Sequence, residues 1–161
     1  MTILVCHASK RGGTEGIAAT IADALRDAGH DVRLEPAAGV RGLDGARAVV
    51  VAGSLYATRW HGDARRFVRK HAAQLRELPV WLVASGPLDD SADAGTLPPV
   101  PHLRDAAASV RARGTVTFGG RLEPDAKGFP ASAMAKTPSG AWRNPERIRQ
   151  WAGQVHAELG G

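Results

Sequence analysis

The chain has a single cysteine, few aromatic residues and no long apolar run. Cys6 is the only cysteine among 161 residues, which excludes a disulfide within the chain and is compatible with a reducing cytoplasm. No apolar run approaches the roughly 18 residues of a membrane span. Residues 1–9 lack the basic start and the long apolar middle of a secretory signal. We therefore expect no transmembrane segment and a cytoplasmic location.

Charge and aromatic content limit the kinds of partner. The formal net charge is +5, most of it from arginine spread along the chain, and aromatic residues make up 5%. No dense Lys/Arg run carries interleaved aromatic residues, so we expect no nucleic-acid partner. The charge favours an anionic substrate or surface, with solvated helix faces as the alternative interpretation. A hydrophobic fraction of 43% with 23% charged residues is typical of one globular domain, here residues 1–161.

Short apolar runs alternate with helical patterns along the chain. The apolar runs predict five strands, at 3–7, 31–34, 46–52, 80–84 and 114–118. Apolar residues at helical spacing predict helices at about 14–28, 62–78, 102–112 and 145–159. This alternation predicts an α/β fold with helices on both faces of a five-stranded parallel sheet, in the strand order 2-1-3-4-5.

The break after the first strand is polar and rich in glycine. A helix that starts directly after a strand directs its free N–H groups at whatever lies above the turn, which suits an anion. The spacing of the glycines matches neither a Walker A loop nor the G-x-G-x-x-G fingerprint. The remaining interpretation is a monophosphate site formed by hydroxyls, backbone amides and two cations. An ordinary helix start capped by Thr14 is the alternative. The residues of this loop are Ser9, Lys10, Arg11, Gly12, Gly13 and Thr14.

Three further loops, at 53–61, 85–90 and 119–124, follow predicted strands and should lie at the same edge of the sheet. Tyr56 and Trp60 are expected as exposed aromatic side chains that could flank a flat ring, with packing on the next helix as the alternative. We expect His61 to be a plain surface residue, with a role in tuning a bound ring as the alternative. The Ser85-Gly86-Pro87 turn can offer backbone donors and acceptors to the edge of a ring.

Taken together, these loops resemble the flavodoxin superfamily, and more narrowly flavodoxin domain-containing proteins related to menaquinone-dependent protoporphyrinogen oxidase. The segments that carry the resemblance are HASKRGGTEGIA, VVVAGSLYATRWHGDARRF, VWLVASGPLDD, FGGRLEPDAKGF and AWRNPERIRQWA. The resemblance implies a flavodoxin-like three-layer sandwich and bound FMN. It implies that the first loop holds the FMN phosphate. It implies contacts to the isoalloxazine from Ser54, Leu55, Tyr56 and Ala57 on one side, and from Ser85, Gly86, Pro87, Leu88, Phe118, Gly119, Gly120, Arg121 and Leu122 on the other.

The sequence departs from this family pattern in two respects. His7 stands where the family commonly has tyrosine, and the chain is basic whereas most electron-carrier flavodoxins are acidic. Arg59 and Arg121 lie in the site loops, where positive charge near a flavin would favour a comparatively high reduction potential. The alternative is that both arginine side chains point to solvent.

Three functional hypotheses follow. The first is an FMN-dependent oxidoreductase for an anionic organic substrate such as protoporphyrinogen, with a quinone as acceptor. The second is a soluble flavodoxin-type electron carrier with a redox partner protein, and the third is a binding module on the same fold without redox chemistry. In the first hypothesis the chemistry would reside in the flavin, and the protein would supply position and electrostatics. No catalytic side chain and no metal cluster is expected, and residues 123–141 are a candidate lid segment.

Overall fold

The computed structural model describes residues 2–8, 13–56, 59–85, 101–118 and 145–160. The strands are β1 (Thr2–Ala8), β2 (Asp31–Pro36), β3 (Ala46–Tyr56), β4 (Arg59–Trp60), β5 (Val80–Ser85) and β6 (Gly114–Phe118). The helices are α1 (Gly13–Asp27), α2 (Gly62–Lys70), α3 (Ala72–Leu75), α4 (Pro101–Val110) and α5 (Pro145–Glu158), with a 3-10 turn at Ala37–Gly39.

Five strands pair in parallel in the order β2-β1-β3-β5-β6. Counted among themselves along the chain, these five strands have the predicted order 2-1-3-4-5. The short strand β4 is the addition, since it pairs antiparallel with the end of β3. The strand residues Ile3–Cys6, Val49–Ala52 and Val80–Ala84 are buried on both faces of the sheet, as the near-continuous apolar runs predicted.

Two apolar clusters, one on each face of the sheet, form the core. Alternate residues of β1, such as Ile3 and Val5, pack with the apolar stripe of α1 and with α5. The intervening residues Leu4 and Cys6 pack with α2, Leu75 and α4. The alternation follows from the two-residue period of a strand, and it yields the expected three layers.

One predicted helix is interrupted. The spacing predicts a single helix over 62–78, whereas the structure ends α2 at Lys70 and begins α3 at Ala72. His71 lies between them with φ −107° and ψ 18°, and its ring is buried against Phe67 at a centroid distance of 4.8 Å. The apolar stripe continues across this break because Leu75 is still buried. In the part of the chain that the structure describes, no helix has the length and apolar character needed to cross a lipid bilayer.

Candidate functional site

Residues from three neighbouring strands form one row at the carboxyl edge of the sheet. Ser54 of β3 is in register with Ser85 of β5, and Ser85 is in register with Phe118 of β6. In-register neighbours share a face of a sheet, and this face is the one covered by α1 and α5. In open parallel sheets ligands bind outside this edge, at the point where the strand order reverses. That point here lies between β1 and β3, beside the start of α1.

A buried pair of hydroxyls joins the start of α1 to the end of β5. The Oγ1 atom of Thr14 and the Oγ atom of Ser85 are 2.8 Å apart, and both side chains are almost fully buried. The pair carries two hydroxyl protons, and one of them is used between the two oxygens. The second proton has no acceptor among the described residues, whereas buried polar groups are normally paired. An acceptor for this proton must therefore come from outside the described residues, and an anionic group bound at this edge is one candidate.

The first turn of α1 adds a second feature that suits an anion. The helix spans 15 residues, and its free N–H groups and partial positive charge lie at the carboxyl edge. His7 is the last residue of β1 on the face that α1 covers, and its side chain is half-buried. Burial lowers the pKa of His7, and the carboxylate of Glu15 partly opposes this effect. The imidazole of His7 is therefore biased towards its neutral form beside this helix start.

A short hairpin extends β3 beyond the sheet. Leu55 pairs with Trp60 and Tyr56 with Arg59, across a connection formed by residues 57 and 58. The hairpin is joined to α2 by His61. The backbone N–H of His61 donates to the Ser54 carbonyl at 2.9 Å, and its Nδ1 atom accepts from the N–H of Asp63 at 3.0 Å. His61 is thus a half-buried helix cap and not the plain surface residue that we expected.

The indole of Trp60 is part of the core. Only 1% of the residue is exposed, and its Nε1–H donates to the carbonyl of Val83 at 3.1 Å. The ring lies against the backbone of Gly53, where an added Cβ would be 2.7 Å from Nε1 of Trp60 and 2.9 Å from Cβ of Ala64. The expectation of an exposed Trp60 is therefore wrong, and the alternative of packing against the next helix is correct for this side chain.

The ring of Phe118 also has a packing role. It is 2% exposed and meets Trp151 of α5 edge-to-face at a centroid distance of 6.1 Å. The guanidinium of Arg147 lies 5.1 Å from the Phe118 ring centroid and donates to the Thr117 carbonyl. These contacts attach α5 to the end of β6 and so stabilise this side of the edge.

The remaining predicted contacts divide into two groups. Ser54 and Leu55 are half-buried at the edge, and Gly13 and Tyr56 are described as parts of α1 and β3. The candidate lid 123–141 lies outside the described residues. The other predicted contacts also lie outside them, and these are Ser9, Lys10, Arg11, Gly12, Ala57, Gly86, Pro87, Leu88, Gly119, Gly120, Arg121 and Leu122.

Sequence reasoning missed the role of Gly53, the cap at His61 and the pairing of Thr14 with Ser85. A glycine within a strand pattern often marks a close approach, so Gly53 carried a usable signal. The hydroxyl pair carried none, because 71 positions separate its members in the sequence.

The edge, the hydroxyl pair and the helix start define an α/β protein with a candidate anion-binding site at the carboxyl edge of its sheet. Comparison with known families is more specific: the family described as Flavodoxin domain matches residues 4–134, and the chain belongs to this family. No curated protein sequence matches the chain.

Solved structures agree on the fold. The flavodoxin of Streptococcus pneumonia TIGR4 has 22% identity and a TM-score of 0.62, with 98% of this chain and 99% of that chain covered. A cysteine-to-serine mutant of flavodoxin from Pseudomonas aeruginosa has 18% identity and a TM-score of 0.66, with both chains fully covered. The rubredoxin oxygen:oxidoreductase of Desulfovibrio gigas has 14% identity and a TM-score of 0.65, and the match covers 99% of this chain but 37% of that chain. At these identities the likeness concerns the fold alone.

Membership of this family bears out two expectations. Flavodoxin-domain proteins bind FMN, which confirms the predicted cofactor at the level of the family. The described residues fit a phosphate ester, since one proton of the hydroxyl pair has no acceptor among them and the α1 N-terminus faces the same edge. The general flavodoxin resemblance is confirmed as well, whereas the narrower resemblance to protoporphyrinogen oxidase is supported by none of these matches.

Proposed function

We propose that the chain is an FMN-binding redox protein that exchanges electrons with a partner protein. The observation that carries the proposal is the buried Thr14–Ser85 pair at the start of α1, one of whose two hydroxyl protons has no acceptor among the described residues. Two of the similar structures, matched over nearly their whole length, are described as flavodoxins. Bound FMN supplies reversible electron transfer, and the protein supplies binding, orientation and electrostatics.

In this proposal the side chains at the edge have distinct tasks. The Thr14–Ser85 pair and the N–H groups of α1 bind the phosphate, together with Ser9 to Gly12, which precede the helix in sequence. The hairpin of β3 and β4 positions the loop assigned to the isoalloxazine. The packing of Trp60 on Gly53 holds that hairpin against the sheet, so its contribution is to positioning.

A second candidate function is oxidation of an anionic organic substrate, with protoporphyrinogen as the example and a quinone as acceptor. The net charge of +5 favours it, because positive groups near the site would attract such a molecule. Attraction of this kind is screened within about 10 Å at 0.1 M salt. The rate at low substrate should then fall as ionic strength rises, while the saturated rate stays constant.

The absorption spectrum of the purified protein, before and after photoreduction, tests the common part of both candidates. A flavin spectrum that bleaches on reduction and matches one FMN per chain is expected. A colourless protein that fails to bind FMN at micromolar concentration would contradict the proposal and favour the non-redox module. Stopped-flow mixing with protoporphyrinogen, and separately with a reductase protein, then distinguishes the two candidates. Reduction of the flavin by the reductase alone supports the carrier.

A further inference from the structure

A second surface feature lies away from the carboxyl edge, between α2–α3 and α4. It is a groove of about 440 Å³ on the face of the sheet opposite α1 and α5. One wall carries Arg65, Arg69 and Arg76, and the floor is formed by Val68, Ala72 and Ala106. The groove therefore combines a stripe of positive charge with an apolar base.

The arginine stripe follows from helical spacing. Arg65 and Arg69 are four positions apart and so lie on one side of α2, about 6 Å apart along the axis. Neither side chain makes a hydrogen bond or ion pair within the described part of the chain. Arg76 is anchored, because its Nε–H donates to the carbonyl of Ser109 across the groove at 2.9 Å. Two guanidinium groups on this wall thus have all their donors available.

The walls of the groove are exposed to solvent, and only the Arg76 contact to Ser109 bridges them among the described residues. Arg69 and Arg76 on one wall, and Asp105 and Ser109 on the other, are exposed. Small-molecule sites bury most of their ligand, which walls of this kind cannot do. An elongated segment that belongs to a larger surface fits such a groove better.

The ends of the groove relate it to the flavin site. Helix α2 begins at Gly62, directly after the hairpin at the carboxyl edge, and α4 runs from this edge back to the start of β6. Arg65 therefore lies at the end of the groove nearest the edge, and Arg76 at the far end. A segment bound in the groove would bring its own protein close to the site of electron transfer.

We propose that this groove binds an extended acidic segment of the redox partner. In an extended chain, alternate side chains point to the same face and repeat about every 6.6 Å, close to the spacing of Arg65 and Arg69. Carboxylates at alternate positions can pair with the arginines, while the backbone of the segment lies over the apolar floor that Val68 and Ala106 form. The partner's redox role rests on the proposed function, whereas binding of the segment does not require FMN.

Fluorescence anisotropy with a labelled peptide of alternating glutamate and alanine, about ten residues long, tests the proposal on the full chain. The wild type should bind it, and the matched peptide of glutamine and alanine should bind at least about 5-fold more weakly. Arg65→Gln and Arg69→Gln should each weaken binding of the acidic peptide by about 5-fold. Asp105→Asn, which removes a carboxylate from the opposite wall, should strengthen it.

Arg41→Gln and Arg149→Gln are the matched controls, because both arginines are exposed, lie outside the groove and make no ion pair or hydrogen bond to the described residues. Equal losses in the controls would show attraction by net charge alone and overturn the proposal. Displacement of the peptide by millimolar inorganic phosphate at constant ionic strength would overturn it too, since the site would then take small anions. The titrations are repeated with and without FMN. Peptide binding without flavin binding contradicts only the proposed function, and flavin binding without peptide binding contradicts only the groove.

Discussion

The hydroxyl oxygens of Thr14 and Ser85 lie 2.8 Å apart, although 71 positions separate the two residues in the sequence. This hydrogen bond connects the first turn of α1 to the last residue of β5. Because both side chains are buried, loss of one hydroxyl would leave the other without a hydrogen-bond partner, and water could not replace it freely. The contact therefore contributes to stability and also sets the position of the donor that we assign to the phosphate.

Removal of either hydroxyl should destabilise the protein. Thr14→Val leaves the Ser85 oxygen without its partner, and Ser85→Ala does the same to Thr14, so each variant should lose about 1–3 kcal/mol of unfolding free energy. The double variant should lose less than the sum of the two, because no unpaired hydroxyl remains. Urea denaturation of the three flavin-free variants measures this coupling. Strict additivity would mean that the pair does not act as a unit.

The same variants separate phosphate binding from folding. Thr14→Val should weaken FMN by roughly 10- to 150-fold, because a lost hydrogen bond to a charged group costs about 1.5–3 kcal/mol. Riboflavin, which lacks the phosphate, should be affected far less. Fluorescence titration with both ligands gives the ratio. An equal loss for FMN and riboflavin would assign Thr14 a purely structural role.

Substitution of Gly53 should be costly because of the indole beside it. The Cβ atom of Gly53→Ala would be 2.7 Å from Nε1 of Trp60 and 2.9 Å from Cβ of Ala64, so the indole, α2 or the strand itself has to shift. Overpacking of this kind costs about 1–3 kcal/mol. Gly153→Ala is the control, since no atom lies within 4 Å of the added methyl and alanine favours a helix interior. Thermal unfolding should show a lower Tm for the first variant and an unchanged or higher Tm for the second.

Trp60→Phe tests the packing role of this residue. The substitution removes the Nε1–H donor to the Val83 carbonyl and part of a buried ring, so we expect a loss of about 1–3 kcal/mol in stability. FMN affinity, measured where the variant is fully folded, should change by less than about 3-fold. A large loss of FMN affinity at unchanged stability would restore the ring-flanking role that the sequence suggested.

Acid should weaken the fold in the range where histidines titrate. His30 and His156 share a hydrogen bond of 2.8 Å between Nε2 and Nδ1. Burial, followed by the nearby charges of His156 and Arg47, lowers the pKa of His30. Between this lowered pKa and the ordinary value of about 6.5, the unfolded chain binds more protons than the native protein, so stability falls as the pH decreases.

The unfolding free energy should therefore decrease from pH 7.5 to pH 5.5, a range that extends about one unit on either side of the ordinary histidine pKa of about 6.5. His30→Gln should make the decrease smaller, because one proton-linked group is removed. In His156→Gln, NMR titration should show a higher pKa for His30, because the electrostatic effect of His156 that lowers it is removed. A His30 pKa above its ordinary value in the wild type would contradict the assignment.

Local pattern in the sequence was sufficient to predict the layers of this protein. The runs around Val5, Val50 and Leu82 are apolar without alternation, which indicates strands covered on both faces, and the stripe that includes Ile17 and Ile21 indicates a helix packed on one face. Strands that alternate with helices indicate parallel crossovers, and the order 2-1-3-4-5 with its ligand edge was predicted as the flavodoxin-like arrangement that suits five such strands. These features depend on the spacing of apolar residues that are close together in the sequence, and this spacing can be read directly from the sequence.

Other features depend on contacts between distant parts of the chain, and only the tertiary structure decided them. The same aromatic type in a loop can face a ligand or fill the core, and for Trp60 the space above Gly53 determined burial. The bond between Thr14 and Ser85 arises because sheet order and crossover geometry bring two separate loops together, which no local pattern records. The stripe of Arg65 and Arg69 became one wall of a groove only when α4 packed beside α2. Composition and periodicity therefore determined the architecture, whereas packing between remote residues determined which side chains can act at its surface.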